Sequence, residues 1–177
     1  MYVRTIGDMD AELLATFFGA LLGLGAIGLA AAWLVPGVRA GVAPSSLALA
    51  AVVAGGAMAG SLYFSEGAGY VPCELCWWQR GAMYPLAVGL IAAAAAGIER
   101  IRTPAIVVAA LGLAVSIYHV QLQWFPDQGS FCDAANPCTG RWVEAFGWMT
   151  IPQMAALSFV LVIGLLALPR PVPMETP

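Results

Sequence analysis

The sequence predicts an all-α integral membrane protein with five membrane-spanning helices. Of its 177 residues, 61% are hydrophobic and only 10% are charged, and the mean hydropathy is +0.85. Soluble domains carry about 25% charged residues, so this composition indicates a protein that is embedded in a lipid bilayer. The net charge of −3 gives no support to nucleic-acid binding.

Five stretches are apolar and long enough to cross a bilayer, which takes about 20 helical residues. They cover approximately residues 11–35, 46–65, 78–98, 103–123 and 150–168. An odd number of spans places the two termini on opposite faces of the membrane.

The first span, residues 11–35, has some features of a secretory signal peptide. Its leading segment is acidic, however, and its apolar run exceeds the about 7–15 residues of a signal-peptide core. We therefore expect a retained helix. The pairs Gly19/Gly23 in this span and Gly56/Gly60 in the second have the spacing that suits close contact between helices.

The arginines predict the orientation of the chain, which contains no lysine. One face carries four arginines, in the loops 36–45 and 99–102 and the C-terminal tail: Arg39, Arg100, Arg102 and Arg170. The other face carries Arg4 and, in the 124–149 loop, Arg141. Short segments rich in arginine remain in the cytoplasm. We therefore expect the N-terminus outside, the C-terminus inside and all four cysteines on the extracytoplasmic side.

Two cysteines lie where the third span begins, in Val-Pro-Cys-Glu-Leu-Cys-Trp-Trp-Gln-Arg (71–80). Pro72 favours the start of a helix, because its missing N–H would be unpaired there in any case. A helix from this point aligns Cys73, Cys76 and Arg80 on one face. Both thiols then lie at the positive end of the helix dipole, which stabilises thiolates. With the Arg80 cation one turn deeper, the segment predicts a redox centre.

The other two cysteines, Cys132 and Cys138, lie in the 124–149 loop. Five residues separate them, and Asn136-Pro137 favours a turn that would close a small disulfide ring. After the ring, four apolar residues have the spacing of one helix face, which predicts a helix lying in the membrane interface: Trp142, Val143, Phe146 and Met149.

Static disulfides and a zinc site are the alternatives to redox work. The Cys132–Cys138 ring could serve only stability. A Cys₄ zinc site would require the two cysteine pairs to meet. Disulfides persist in an oxidising compartment, which disfavours zinc there. We therefore predict a relay between the two pairs and no metal.

Several segments resemble the DsbB/BdbC family of disulfide bond formation proteins: Leu-Tyr-Phe-Ser-Glu (62–66), Gly-Tyr-Val-Pro-Cys-Glu-Leu-Cys-Trp-Trp-Gln-Arg (69–80) and Met-Tyr-Pro-Leu (83–86). Tyr118-His119 and residues 146–152 are similar to the BdbC branch. The resemblance covers about residues 46–168. It implies a four-helix bundle in a bacterial plasma membrane that oxidises a thioredoxin-like partner and reduces a membrane quinone.

This resemblance divides the chain into three parts. Residues 1–45 form an extra N-terminal transmembrane helix and a cytoplasmic loop, which the usual four-helix core lacks. Residues 46–168 form the DsbB-like bundle with the extracytoplasmic redox loop 124–149. Residues 169–177 form a cytoplasmic tail.

The resemblance also implies a direction of electron flow. A DsbA/BdbD-like thiol oxidase outside the membrane would reduce the Cys132–Cys138 disulfide, and the resulting dithiol would reduce Cys73–Cys76. That pair would then reduce ubiquinone or menaquinone. A strongly oxidising thiol oxidase can pass electrons only to a stronger oxidant, and the DsbA–DsbB–quinone chain is the established example.

Five residues are candidates for contact with the quinone. By resemblance, Cys76 contacts it, while Arg80 would stabilise both the thiolate and the developing quinone anion. His119, the only histidine, would bond a quinone carbonyl or supply a proton, or else simply bond a neighbour in the interface. Gln79 would bond a ring oxygen or a backbone carbonyl. Trp77 would anchor the helix in the interface or stack on the quinone.

Two other functions remain open. The first is a quinone or quinone epoxide reductase of the vitamin K epoxide reductase type. In that family the Cys-x-x-Cys motif follows the loop cysteines, whereas here it precedes them. The second is a non-enzymatic membrane scaffold whose disulfides are structural. Exchange with partner thiols would separate a relay from a scaffold.

Overall fold

The computed structural model describes residues 6–128 and 131–169, and these residues are predominantly helical. Their α-helices are α1 (Ile6–Leu34), α2 (Pro36–Val42), α3 (Ser46–Leu62), α4 (Glu74–Ala96), α5 (Arg102–Trp124) and α6 (Ile151–Leu166). Within these ranges no β-strand forms beyond a single bridge between Ala145 and Met149. The predicted all-α membrane fold is confirmed. Arg4 and Arg170 lie outside the described residues.

Each of the five predicted spans is a helix: α1, α3, α4, α5 and α6. By length and mean hydropathy, three helical stretches are sufficient to cross a membrane: Asp10–Leu34, Pro36–Gly67 and Glu99–Trp124. α6 is a shorter apolar helix of 16 residues. The predicted loop at 36–45 is also helical, because α2 and a short 3₁₀ turn lead directly into α3.

The helices α3, α4, α5 and α6 form a four-helix bundle, in which each helix packs on the next and α6 closes the ring against α3. The centre of this bundle is apolar, and Leu90, Phe159 and Val162 are completely buried there. Gly112 of α5 lies directly against the Phe159 ring, so that a Cβ at this position would clash with it. The absent side chain therefore allows α5 and α6 to approach closely.

One end of the bundle is held together by Arg102, which is only 8% exposed. Its guanidinium donates to the Leu166 carbonyl of α6 at 3.1 Å and to Ser46 Oγ of α3 at 3.0 Å. Its Nε pairs with Glu99 at 2.6 Å. A buried arginine is tolerated here because each of its three guanidinium nitrogens finds an acceptor. We call this the Arg102 end, and the opposite end, which holds Cys73, the redox end.

α1 lies outside the bundle and packs mainly on α6. Gly164 of α6 makes room for Leu29 of α1, and Leu161 contacts Gly25. The other side of α1 is exposed, with Leu24 at 66% and Ile27 at 69%. An exposed leucine and isoleucine on a long apolar helix are expected where the helix faces lipid.

The predicted interfacial helix after the loop cysteines is wrong, because residues 142–144 are not helical and residues 145–149 form a tight turn. Ala145 and Met149 pair through two backbone hydrogen bonds of 2.9 and 2.8 Å. Between them, Phe146 and Gly147 have φ of 56° and 77°. Two consecutive residues with positive φ make a hairpin turn and cannot continue an α-helix. Val143 is buried beneath the turn, while Phe146 is exposed.

Candidate redox site

The Cys73–Cys76 pair lies at the start of α4. The helix begins at Glu74, slightly later than predicted, and Cys73 is the residue that precedes its first turn, with φ −74° and ψ 174°. Both cysteines are free, and their sulfur atoms are 3.0 Å apart. This separation is a hydrogen bond, and a shift of about 1 Å would bring the sulfurs to disulfide distance.

Cys73 is arranged to carry a negative charge. The hydrogen bond from Cys76 is the main cause that lowers the pKa of Cys73 to about 4. Burial acts in the opposite direction, and the hydrogen bond and charge of His119 lower the pKa further. Cys73 is therefore the thiolate of the pair and Cys76 the proton donor.

His119 lies between the two cysteine pairs and is 1% exposed. Its Nε2 is 3.7 Å from Cys73 Sγ and 3.0 Å from the backbone carbonyl of Cys138. Its Nδ1 is 3.3 Å from Gln79 Oε1. The histidine therefore contacts the first pair through a sulfur and the second through the main chain.

The hydrogen bonds of the Gln79 side chain determine which of its atoms faces His119. The Ser116 hydroxyl donates to the Gly112 carbonyl at 2.9 Å, so it must accept from Gln79 Nε2 at 2.8 Å. Gln79 Oε1 then faces His119, and the opposite ring nitrogen faces the Cys138 carbonyl. Both ring nitrogens of His119 thus lie within hydrogen-bond distance of an oxygen atom. His119 Nε2 therefore lies against both the Cys73 sulfur and the Cys138 carbonyl.

The loop disulfide lies over this centre. Cys132 and Cys138 are bonded to each other, which confirms the predicted ring. Cys138 is 1% exposed and belongs to the same buried cluster as Cys73. Asn136 donates to the Pro72 carbonyl at 2.9 Å, so the ring is tied to the segment just before Cys73. The two cysteine pairs are therefore neighbours.

On its other side, Cys76 borders a cavity of about 390 Å³. The cavity lies among α1, α3, α4 and α6, and its walls are almost entirely apolar. At the redox end its lining includes Cys76, Gln79 and Arg80. An apolar cavity with a few polar groups at one end is typical of a small-molecule site.

Arg80 is fixed at this end of the cavity. Its Nε donates to Ser61 Oγ at 2.9 Å, and its Nη2 donates to the Ser61 carbonyl at 2.8 Å. The guanidinium also lies over the Trp77 ring, 5.1 Å from its centre. Because α3 holds its guanidinium, Arg80 presents an oriented positive charge beside Cys76.

The predicted cofactor contacts divide into two groups. Cys76, Gln79 and Arg80 line the cavity, whereas Trp77 and His119 lie outside its lining. Trp77 is 59% exposed and His119 faces the cysteines. The sequence reasoning did not identify Ser61 and Ser116, although polar side chains within apolar spans are themselves a signal.

The sulfurs of Cys73 and Cys76 and the His119 ring could also hold a metal ion, since their ligand atoms lie within 4.8 Å of one another. Thiolate and imidazole are zinc ligands. A Cys73–Cys76 disulfide would remove two of the three ligands, so metal binding and redox turnover exclude each other. The Cys₄ arrangement is not formed, because Cys132 and Cys138 are bonded together.

Comparison with known proteins identifies relatives of the chain. The family model "Disulfide bond formation protein DsbB" matches residues 43–169. The chain is 42% identical over 114 residues to "Disulfide bond formation protein C" of Bacillus subtilis, which covers 63% of the chain and 83% of that protein. It is 40% identical over 109 residues to a "Probable disulfide formation protein" of Oceanobacillus iheyensis, which covers 60% and 75%. No solved structure gives a significant match.

The matched segment includes the bundle and all four cysteines. It begins after α1, which ends at Leu34. α1, which forms one side of the cavity, therefore lies outside the matched segment.

Proposed function

Since the chain belongs to the DsbB family of disulfide bond formation proteins, we propose that it transfers electrons from an extracytoplasmic thiol oxidase of thioredoxin fold to a membrane quinone. Family membership makes it a multi-pass membrane oxidoreductase that forms disulfide bonds. The partner, the quinone and the side of the membrane are the proposed part. The reduced protein partner would then be the electron donor at one end of the relay, and the quinone would be the acceptor at the other.

The observation that carries the proposal is the position of Cys73–Cys76. The loop disulfide lies on one side of this pair and the apolar cavity on the other. A relay needs its middle couple to touch both the donor couple and the acceptor. A purely structural disulfide would have no need of a charged thiolate or of a neighbouring cavity.

In the first half of the cycle, a thiolate of the partner attacks the Cys132–Cys138 disulfide. A mixed disulfide forms and one loop thiolate leaves; the second thiol of the partner then releases the oxidised partner. The loop dithiol next transfers its two electrons to the Cys73–Cys76 disulfide by the same exchange. The docked ring, tied down by Asn136, brings the exchanging sulfurs together.

In the second half, the reduced pair gives up two electrons at the cavity. The residues fit a quinone, because an apolar space ends at a thiol and a guanidinium. A bound quinone supplies the two-electron acceptor. Cys76 is the sulfur that borders the cavity, and Arg80 holds a positive charge where negative charge develops. As the two electrons pass to the acceptor, Cys76 gives up its thiol proton and Cys73, a thiolate stabilised by His119, forms the S–S bond with Cys76.

The alternatives have less support. The motif order and the family match both disfavour a vitamin K epoxide reductase-type enzyme. A scaffold would not require a reduced cysteine pair between a buried histidine and a cavity. Turnover measurements distinguish these functions directly.

The test is quinone reduction by the purified protein, with a reduced thioredoxin-fold oxidase as electron donor. Ubiquinone and menaquinone are compared, and quinone absorbance is followed. We expect turnover by the wild type and by Glu74→Gln, an exposed control in the same helical turn. We expect none by Cys76→Ser or Cys138→Ser. Absence of wild-type turnover with either quinone, with both disulfides resistant to partner thiols, would favour the scaffold.

A further inference from the structure

We propose that α1 is part of the quinone site and that the isoprenoid tail of the quinone lies in the cleft between α1 and α3. This inference rests on the proposed quinone reductase function. It assigns a substrate-binding role to a helix that lies outside the matched family segment.

One side of the cleft is a continuous stripe on α1. The α1 residues in the lining are Phe18, Leu21, Leu22 and Gly25. Their spacing of three and four residues places them on one face of the helix. Gly25 at one end of this face lies against Leu161 of α6, and Phe18 at the other end lies near Gly60 of α3. Between these two contacts the face borders the cavity.

The opposite side of the cleft is kept open by the glycines of α3. Gly56 and Gly60 both line the cavity. A Cβ at Gly56 would meet nothing within 4 Å, and one at Gly60 would approach the Phe18 ring at 3.5 Å. The pair was expected to bring two helices together, but Gly56 instead leaves room between them. Gly56 therefore borders open space in the cleft, whereas Gly60 lies against the Phe18 ring.

The chemistry at the two ends of the cleft favours a quinone over a lipid acyl chain. At the redox end, Cys76 and Arg80 offer a thiol and an oriented cation. A carbonyl oxygen can accept a hydrogen bond from them, whereas an acyl chain cannot. Deeper in the cleft, Leu22 and Gly25 offer only apolar surface. The ring therefore belongs near Cys76 and the apolar tail against α1.

The test compares two Leu→Trp variants of α1. Leu22→Trp enlarges a side chain in the cleft, while Leu24→Trp enlarges one that is 66% exposed on the other side. For each protein, Kd and KM are measured with a quinone that carries several isoprene units and with the same ring bearing only a methyl group. Kd is measured directly in detergent, without the thiol partner.

We expect Leu22→Trp to raise both constants for the long-tailed quinone about tenfold, because one large side chain displaces the tail from an apolar site. The tail-less quinone should bind unchanged, and Leu24→Trp should bind both quinones as the wild type does. If Leu22→Trp does not fold, as judged by its melting temperature, Leu22→Phe takes its place. Gly56→Leu, whose Cβ would meet nothing within 4 Å, extends a side chain into the cleft from α3 and should have the same tail-dependent effect.

Equal constants for the Leu22→Trp and Leu24→Trp variants would overturn the inference, and so would equal effects on the two quinones. A wild type that binds both quinones equally tightly, or neither, would also overturn it. Tail-dependent binding without any quinone reduction would support the role of α1 but reject the proposed function. Quinone reduction that Leu22→Trp does not affect would support the proposed function but reject the role of α1.

Discussion

At the scale of single residues, the Cys73 sulfur combines burial with a negative charge. It is 5% exposed, and burial alone would raise the pKa of a thiol. The hydrogen bond from Cys76, aided by His119, outweighs burial and lowers the pKa of Cys73 to about 4. A thiolate is the reactive form of cysteine. Cys73 is therefore ready at neutral pH to form the disulfide with Cys76 as the pair gives up two electrons.

The first prediction concerns the pH dependence of Cys73 alkylation in the reduced protein. A group with a lowered pKa is ionised above that pKa, so the thiolate should be lost only as the pH falls through about 4. We expect the rate of modification by iodoacetamide, followed by mass spectrometry, to be constant from neutral pH down to weakly acidic pH. A rate that falls about tenfold per unit below pH 8 would indicate an ordinary thiol and contradict the prediction.

The matched variants for this measurement are His119→Ala and His119→Gln. Alanine removes both the charge and the hydrogen bond that His119 contributes to Cys73, whereas glutamine can retain a donor. The pKa of Cys73 should therefore rise in both variants, and more in His119→Ala. A merely structural histidine would change the melting temperature but leave the alkylation profile in place.

The second prediction concerns Arg80 and its anchor Ser61. Removing an oriented cation beside developing charge costs about 10²-fold or more in rate, so Arg80→Ala should lower kcat/KM for quinone by that order. Ser61→Ala keeps the cation and the Ser61 carbonyl contact but loses the Oγ acceptor. We expect a loss of about fivefold to tenfold for that variant. Steady-state kinetics check both values, and equal losses in the two variants would contradict this ranking.

The sequence was sufficient for the chemistry of these residues but not for their partners. Spacing alone predicted the Cys132–Cys138 ring and put Cys76 and Arg80 on one face. It did not predict that His119 contacts Cys73, because this contact depends on how α4 and α5 rotate against each other. In a membrane bundle both the core and the lipid face are apolar, so hydrophobic periodicity carries little information about rotation.

At the scale of elements, the turn at 145–149 shows how an apolar pattern can mislead. Trp142, Val143, Phe146 and Met149 have the spacing of a helix face, yet only the second and fourth of these are buried. Gly147 adopts a left-handed conformation that a helix cannot contain. Gly147 is the residue of this stretch that favours a turn, because glycine adopts a positive φ without steric cost.

The third prediction concerns the contact between α5 and α6. A Cβ at Gly112 would clash with the completely buried Phe159 ring, which cannot move aside without disturbing the core. We expect Gly112→Ala to lower the free energy of unfolding by about 1–3 kcal/mol. Thermal unfolding in detergent measures this effect.

The control for this variant is Gly89→Ala in α4. A Cβ at Gly89 would meet nothing within 4 Å, so the substitution should only gain helix propensity, worth about 1 kcal/mol. Gly112→Ala and Gly89→Ala should therefore shift the melting temperature in opposite directions. If Gly112→Ala raised the melting temperature as Gly89→Ala does, α5 and α6 would not approach each other as closely as described.

At the scale of the whole molecule, the two ends of the bundle differ in chemistry. Five of the six tryptophans lie toward the redox end, and each is more than half exposed: Trp77, Trp78, Trp124, Trp142 and Trp148. At the Arg102 end, arginines bind helix-terminal carbonyls. Arg39 donates to the Ala32 and Trp33 carbonyls of α1, at 3.2 and 2.6 Å. Exposed tryptophans are typical of a membrane interface and arginines of the cytoplasmic side.

The fourth prediction is the orientation that follows from this asymmetry, with the Arg102 end in the cytoplasm. In a protein whose four native cysteines are replaced by serine, Asp127→Cys introduces a thiol at the redox end and Ile98→Cys introduces one at the Arg102 end. A membrane-impermeant maleimide should label the Asp127→Cys variant in intact cells, and the Ile98→Cys variant only after the membrane is opened.

The reverse labelling pattern would place both cysteine pairs in the cytoplasm, where thiols are kept reduced. The Cys132–Cys138 disulfide would then not persist, and no oxidant would be regenerated by the relay. The positive charges alone do not decide the matter, because Arg39 and Arg102 also serve to hold helix ends. Labelling of the redox end from outside would therefore connect the arginine pattern, the disulfide ring and the direction of electron flow in one orientation.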